Sequence, residues 1–148
     1  MDVAFESGKK LVIAHSRGIP ENMNDLTDYN NVVDEVYLGL KQKCDFAISK
    51  GLKPENIIID PGFGFAKNGA QNLELFSRVG EFKSLGFEVL VGVSRKRFLE
   101  AYSDTDPKNR DGISATASFY LAQQGVDIIR VHDVKSSLQA TEFALALT

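Results

Sequence analysis

Residues 57–67 read Ile-Ile-Ile-Asp-Pro-Gly-Phe-Gly-Phe-Ala-Lys, and this stretch decides the fold class that we expect. Its three branched apolar residues predict a short strand that is covered on both faces. Asp60 follows the strand directly, and the Pro-Gly pair after it ends the strand in a small loop. Phe63 and Phe65 place two aromatic rings beside the carboxylate, which is typical of a site for a flat polar ring. The alternative is a capped strand end with an ordinary turn.

Short apolar runs alternate with longer helical patterns on both sides of this stretch. The runs are rich in Val, Ile and Leu, as in strands covered on both faces, and they lie at residues 11–15, 56–60, 88–93 and 127–131. Because helical segments connect them, we expect parallel neighbouring strands and right-handed connections. The pattern predicts an α/β fold of four consecutive strand–helix units.

Each helical pattern carries an apolar stripe on one face. The stripes are Val33, Val36, Leu40, Cys44 and Ala47; Leu73, Phe76, Val79 and Phe82; Ile113, Ala117, Tyr120 and Leu121; and Val134, Leu138, Thr141 and Leu145. Gly51 and Gly125 are the expected stops of the first and third helices, and Asp133 is the expected N-cap of the last. Residues 3–5 are read as the end of an earlier helix.

Composition bounds the class of protein. The chain has 148 residues, a length that is enough for one compact core. Of these residues 43% are hydrophobic and 25% charged, which are ordinary values for a globular protein. Its net charge of −3 argues against a nucleic-acid partner, and no apolar run approaches the length of a membrane span. The first residues lack the layout of a signal peptide. Cys44 is the single cysteine, so we expect core packing for it and a reducing, cytoplasmic compartment.

Polar side chains collect where the predicted strands end. They occupy residues 15–17, Asp60, residues 94–96, and Arg130 with His132. Because the carboxyl ends of parallel strands share one face, we expect all four groups at the face where α/β folds place their chemistry.

Arg130 and His132 lie two residues apart on the last strand and therefore point the same way. The helix that follows adds backbone N–H groups and the positive end of its dipole. Together these groups predict an anion site, most naturally for phosphate or diphosphate. The alternative pairs Arg130 with Asp60 or Asp133 and leaves His132 as an ordinary strand-end residue.

Residues 94–97 read Ser-Arg-Lys-Arg and follow a strand that contains Gly92. Three adjacent cations indicate a negative group nearby, and Gly92 indicates close approach of a ligand or backbone. A solvated charge cluster explains the run equally well. His15 either faces the site or holds its own loop by hydrogen bonds, and we expect the second.

The remaining sequence features indicate no further functional site. Asp104, Asp106 and Asp111 are expected to face water, with Asp106 before Pro107 as a helix start. The sequence contains no zinc-ligand spacing, phosphate-binding loop or nucleophile elbow.

In this order the motifs resemble those of dihydropteroate synthase. The resemblance rests on Asp60-Pro-Gly-Phe-Gly-Phe, Gly92-Val-Ser-Arg-Lys96 and Arg130-Val-His-Asp133, supported by Ala14-His-Ser-Arg-Gly18. It covers essentially the whole chain but only the second half of that enzyme's (β/α)8 TIM barrel. It implies that residues 1–148 are a single partial pterin-binding domain, a half barrel without the amino-terminal half.

The resemblance also implies an activity. The family is a transferase of folate biosynthesis that joins 6-hydroxymethyl-7,8-dihydropterin diphosphate to p-aminobenzoate and releases diphosphate. By this likeness Asp60 holds the aminopyrimidine edge of the pterin, and Lys96 donates to the pterin carbonyl; these two are the expected catalytic residues. Gly92 lets the ring approach closely. Arg130 lies against the pterin plane and, with His132, meets the diphosphate.

The resemblance assigns the p-aminobenzoate pocket to Phe65, Lys96 and Arg97. The family often has Ser where Arg97 stands, so the guanidinium is expected to serve the carboxylate through its charge. Ala14 replaces a Met and removes one apolar contact to the pterin, and Ala66 in place of Gly is a mild change. Mg²⁺ is expected through the diphosphate and groups outside this chain, with no metal ligand from the chain itself.

The expected partners are the two small-molecule substrates, with no nucleic acid and no membrane. An isolated half barrel leaves two parallel edges unpaired, so we expect self-association or a missing amino-terminal half. One alternative function is a non-catalytic half-barrel module that binds pterin or phosphate. Another is a related pterin-dependent methyl-transfer barrel, which the Ser-Arg-Lys run fits less well than it fits a diphosphate substrate.

Overall fold

Four strands and four α-helices alternate along residues 8–147, the part of the chain that the computed structural model describes. In chain order they are β1 Leu11–Ala14, α1 Val32–Ser49, β2 Ile57–Asp60, α2 Gly69–Ser77, β3 Glu88–Val91, α3 Asp111–Gln123, β4 Ile128–Ile129 and α4 Val134–Leu145. Short 3-10 helices lie at Met23–Asp25, Pro54–Asn56, Val79–Leu85, Arg97–Tyr102 and Pro107–Asn109. The earlier helix expected at residues 3–5 lies outside the described residues.

The strands form one parallel sheet in the order β1-β2-β3-β4, which confirms the predicted α/β architecture. Ala14 pairs with Asp60, and Val91 with Ile129, so the carboxyl ends of the strands meet at one face. The strands are shorter than predicted, most of all β4. Beyond its end, His132 N donates to a side chain, Ser94 Oγ, at 3.2 Å instead of extending the ladder.

The main core lies between the sheet and the first helices. The stripe predicted for α1 is correct: Val36, Leu40 and Cys44 are fully buried, and burial of side chains of this size stabilises a fold by about 1.5–3 kcal/mol each. Gly51 ends the helical segment with φ +97, a backbone conformation that favours glycine.

The second stripe is wrong in part. α2 ends at Ser77, and a separate 3-10 helix begins at Val79. The buried positions are Asn72, Leu75, Val79 and Phe82, which share one face at helical spacing. Leu75 is therefore fully buried, whereas Leu73, expected in the core, lies on the neighbouring face and is 36% exposed.

The last stripe is also wrong. On α4, Val134 is 65% exposed and Leu138 53% exposed, while the small residues Ser137 and Ala144 face inward. α4 packs closely against α3, and nothing among the described residues covers its other side. The predicted N-cap is correct, because Asp133 Oδ1 accepts a hydrogen bond from Ser136 N at 3.2 Å.

Membrane-spanning helices are not found among residues 8–147, because none combines the necessary length with sufficient apolar character.

Candidate functional site

Asp60 lies at the carboxyl end of β2 and is only 8% exposed. Its Oδ1 accepts a hydrogen bond from Gly62 N at 2.8 Å, and its carbonyl oxygen accepts one from His15 N at 2.9 Å. Burial raises the pKa of the Asp60 carboxyl, and the hydrogen bond from Gly62 and the charges of Arg130 and Lys96 oppose that rise. The acid is therefore a buried acceptor surrounded by cations.

Gly62 makes the tight turn after Asp60 possible. Its φ is +73, and a Cβ at this position would lie 1.9 Å from His15 O. A glycine is thus required for two separate reasons, the left-handed backbone and the contact with the loop that follows β1.

Lys96 reaches the same pocket from the loop after β3. Its Nζ donates to Phe63 O at 2.9 Å and lies 4.4 Å from the centre of the Phe65 ring. A Cβ at Gly64 would come within 3.3 Å of the Lys96 side chain, so the glycine-rich loop fits closely around the amine. Burial lowers the pKa of Lys96, and the charge of Asp60 opposes this shift.

Arg130 follows β4 and packs on Gly92. A Cβ at Gly92 would lie 2.9 Å from Arg130 Nε, so the guanidinium packs directly on the backbone of Gly92. Among residues 8–147 no carboxylate forms an ion pair with Arg130. The alternative in which Asp60 or Asp133 neutralises it is therefore not what the structure shows.

His132 lies exposed on the same face, and its Nδ1 is 3.1 Å from the buried Ser94 Oγ. One of the backbone N–H groups at the adjacent start of α4 is already used, since Ser136 N donates a hydrogen bond to the Asp133 carboxylate. Anion binding at this point would thus depend on the two side chains, Arg130 and His132, more than on free helix amides.

The run of three cations does not form one cluster. Arg95 turns toward α3 and makes a bidentate ion pair with Asp111, with distances of 2.7 and 2.8 Å. The expectation that Asp111 faces water is therefore wrong, because α3 begins beside the loop and offers this carboxylate to Arg95. Asp106 does cap a helix as predicted, since it accepts from Lys108 N at 2.9 Å.

A cleft of about 880 Å³ adjoins the pocket of Asp60 and Lys96. Arg97 is exposed at this cleft, and Phe65, 37% exposed, stands over the Lys96 amine. The residues that line the cleft are Asn24, Thr27, Gly64, Lys67, Asn68, Gly69, Asn72, Lys96, Arg97, Phe98, Glu100, Ala101 and Thr105. The aromatic residue that lines the cleft is thus Phe98, and Phe65 is related to the cleft through its contact with Lys96.

Lys67 is a site residue that sequence reasoning missed. Its buried Nζ donates to Gly62 O at 2.9 Å and Phe65 O at 3.0 Å, and it lies 3.3 Å from His15 Nδ1. Burial lowers its pKa to about 7 and, together with the nearby cations, lowers that of His15 to about 3. The His15 ring thus contacts the Lys67 amine, and its expected role in holding its own loop stays a prediction. The one signal for Lys67 was a lysine directly after a glycine- and phenylalanine-rich loop.

Asn72 was missed as well. Although it lies on α2, it is buried, and its Oδ1 accepts from Gly64 N at 2.8 Å. Its Nδ2 donates to Lys67 O at 3.1 Å, so one amide holds both ends of the aromatic loop. A polar residue among the apolar positions of a helix was the available signal.

The described side chains do not fit a divalent-cation site of their own. Within residues 8–147 no three His, Cys, Asp or Glu side chains come together as metal ligands.

Comparisons with known proteins agree with this geometry. The family described as "Pterin binding enzyme" matches residues 1–132. The dihydropteroate synthase of Synechocystis sp. is 42% identical over 147 residues, which are 98% of this chain and 50% of that protein. The chain therefore spans about half the length of the curated relatives that it matches.

Solved structures show the same relation. Dihydropteroate synthase from Thermus thermophilus in complex with 4-aminobenzoate has a TM-score of 0.92 and 36% identity, over 98% of this chain and 59% of that one. The Anaplasma phagocytophilum enzyme with bound 6-hydroxymethylpterin-monophosphate also has a TM-score of 0.92, with 34% identity, over 99% of this chain and 58% of that one. Sequence, fold and the arrangement of polar strand ends thus lead to one conclusion: the chain belongs to the family of pterin-binding enzymes.

Proposed function

We propose that this chain is the pterin-binding, carboxyl-terminal half of a dihydropteroate synthase. The reaction would join 6-hydroxymethyl-7,8-dihydropterin diphosphate to p-aminobenzoate and release diphosphate in folate biosynthesis. One observation carries the proposal: Asp60, Lys96 and Arg130, far apart in the chain, all lie at the carboxyl face of the sheet, with Lys96 Nζ on Phe63 O and Arg130 on Gly92. The relatives' ligands support it, since the Thermus structure holds 4-aminobenzoate and the Anaplasma structure a pterin monophosphate.

The pocket offers complementary groups for a pterin. The Asp60 carboxylate can accept two parallel N–H bonds from an aminopyrimidine edge, a geometry that is strong when water is excluded. Lys96 uses one N–H on Phe63 O and has others for the pterin carbonyl. The flat Arg130 guanidinium, seated on Gly92, can lie against the ring plane.

The p-aminobenzoate ring would enter the cleft beside Phe65. Lys96 lies between the two ring positions, because it contacts both the Phe63 carbonyl and the Phe65 ring. Arg97, which lines the cleft, is the cation that would meet the carboxylate of p-aminobenzoate.

The leaving group would lie near Arg130 and His132. The carbon–oxygen bond at the pterin methylene breaks, and its electron pair leaves on the diphosphate. The amine of p-aminobenzoate then bonds to the methylene and gives up a proton to solvent. Neutralising the departing charge is the main task for these side chains. Mg²⁺ remains a prediction, since any such ion would be held by the diphosphate and by groups outside this chain.

The proposed partner is an amino-terminal half barrel. Both outer edges of the sheet carry exposed apolar side chains, with Val12 and Phe46 beside β1 and Val134 and Leu138 on α4. Such surfaces favour association, and a second copy of the chain is the other possible occupant. We place this assembly in the cytoplasm because of the single, buried Cys44.

The test is an assay of diphosphate release with both substrates. The chain is assayed alone and with the amino-terminal half of the Synechocystis sp. relative, and folding of both polypeptides is checked by circular dichroism. We expect release that depends on both halves and on p-aminobenzoate, and its loss with Asp60→Asn. Absence of release from folded, mixed halves contradicts the enzyme proposal, and pterin binding without release would favour the non-catalytic module.

A further inference from the structure

The loop after β3 contains a strained residue directly before Lys96. Arg95 has φ +60, a left-handed conformation that is strained for a residue with a side chain. The strain persists only when surrounding groups hold the backbone in place. Three contacts from the start of α3 do so.

These contacts fix the peptide groups on both sides of Arg95. Arg95 N donates to Ser114 Oγ at 3.0 Å, and Arg95 O accepts from Arg110 Nη1 at 3.1 Å. The side chain of Arg95 is held by Asp111 at 2.7 and 2.8 Å. The direction in which Lys96 leaves the turn therefore depends on the first residues of α3.

Arg110 is the centre of this arrangement. It is only 2% exposed, and its guanidinium also donates to Asp104 O at 2.6 Å and to Thr105 O. Its charge is met by the Glu100 carboxylate at 3.1 Å. A buried guanidinium that donates to three backbone carbonyls costs solvation, and its geometry fixes the whole segment 95–105.

We propose that Arg110 is a positioning residue that holds the Arg95 peptide and thereby aims Lys96 Nζ at Phe63 O and the pocket of Asp60. The inference rests on the proposed function only in identifying what that pocket binds. Arg110 touches no reacting group; it acts through Lys96.

The test follows the Lys96 amine directly, without ligand. Titration by NMR of the lysine side chains gives the pKa of Lys96, which burial lowers in the native chain. Arg110→Lys keeps the charge but cannot bond all four acceptors. We expect Lys96 to leave the pocket and its pKa to rise toward the ordinary 10.5, because the burial that lowers it is lost. Arg78→Lys is the matched control, since Arg78 forms a bidentate pair with Glu81 after α2.

The outcomes separate positioning from stability. A rise of the Lys96 pKa in Arg110→Lys but not in Arg78→Lys supports the proposal. A folded Arg110→Lys chain in which the Lys96 pKa is unchanged overturns it. If Arg110→Lys does not fold, Ser114→Ala removes one contact to Arg95 and must shift the same pKa by less in the same direction; no shift there overturns the proposal. Pterin affinity is measured alongside, with a loss of about tenfold expected for Arg110→Lys. A native chain that binds no pterin would contradict the proposed function, while the Lys96 titration would still test the positioning role of Arg110.

Discussion

At the scale of single residues, the turn after β2 is the most constrained part of the site. Gly62 lies where no Cβ fits, and Lys67 closes the same turn from the other side by donating to Gly62 O and Phe65 O. The position of Asp60 depends on both, because its Oδ1 is held by Gly62 N. Small changes at these residues should therefore have effects that are large and easy to distinguish.

Gly62→Ala should destabilise the chain strongly. The left-handed backbone costs about 1–2 kcal/mol for alanine, and the 1.9 Å approach to His15 O adds a clash that the backbone must relieve. Gly51→Ala is the control, since Gly51 also has positive φ, +97, but has nothing within 4 Å of a built Cβ. Urea unfolding should show a clearly larger loss for Gly62→Ala; equal losses would contradict the contact.

Lys67 should make stability depend on pH. Burial lowers its pKa from 10.5 to about 7, so over this range the unfolded chain binds more protons than the folded chain. The contribution is complete above the unfolded pKa and is lost as pH falls to about 7, at up to about 1.4 kcal/mol per pH unit. Relative to Lys67→Met, the native chain should therefore gain unfolding free energy as the pH is raised from neutral.

The measurement is urea unfolding of native, Lys67→Met and Lys53→Met chains at several pH values. Lys53 is exposed and controls for loss of one amine. A difference between native and Lys67→Met that stays constant from about pH 7 to pH 10 would show that the Lys67 amine titrates normally.

Sequence predicted the residues at strand ends better than the residues that hold them. Asp60, Lys96 and Arg130 were found because parallel strands bring their carboxyl ends together, whatever the details of packing. Lys67 and Arg110 were not found, since their partners include backbone carbonyls of a folded loop. No residue type in a sequence predicts that such carbonyls will be hydrogen-bond partners. The split of the run 95–97 likewise depends on Asp111, sixteen residues beyond Arg95.

At the scale of elements, the apolar stripes predicted for α1 and α4 are similar in sequence but differ in burial. On α1 the stripe is fully buried against the sheet, whereas on α4 it faces outward and small residues pack on α3. Periodicity identified both helices, and residue type identified the stop at Gly51 and the N-cap Asp133, but an apolar stripe reports only that a face is apolar. What covers the face is a property of neighbouring elements, and for α4 none of the described residues does so.

Two leucine substitutions measure this contrast. Leu40→Ala on α1 removes a fully buried side chain and should cost about 2–5 kcal/mol of unfolding free energy. Leu138→Ala on α4, where the side chain is 53% exposed, should change stability by no more than about 0.5 kcal/mol in the chain alone. Thermal unfolding at low protein concentration checks both. A cost at Leu138 as large as that at Leu40 would mean that a partner already covers α4.

At the scale of the whole molecule, four parallel units bring distant residues to one face, but within residues 8–147 nothing covers the outer edges. The chain matches about half of the Synechocystis sp. relative and 59% of the Thermus thermophilus structure, and both edges present apolar side chains. The motifs of the resemblance lie at the carboxyl ends of these strands, and their roles in a pterin pocket stay a prediction.

The most direct measurement is a calorimetric titration of 6-hydroxymethylpterin into the native chain and Asp60→Asn, each with the complementary half present. Replacing the carboxylate by an amide keeps one acceptor oxygen but sets an NH2 donor against the second ligand N–H, so we predict a loss of affinity of about 100-fold, while circular dichroism stays unchanged. Lys96→Ala should weaken binding in the same direction by less. If folded Asp60→Asn bound the pterin as tightly as the native chain, Asp60 would not be the pterin-binding acid, and the proposed pocket would be wrong.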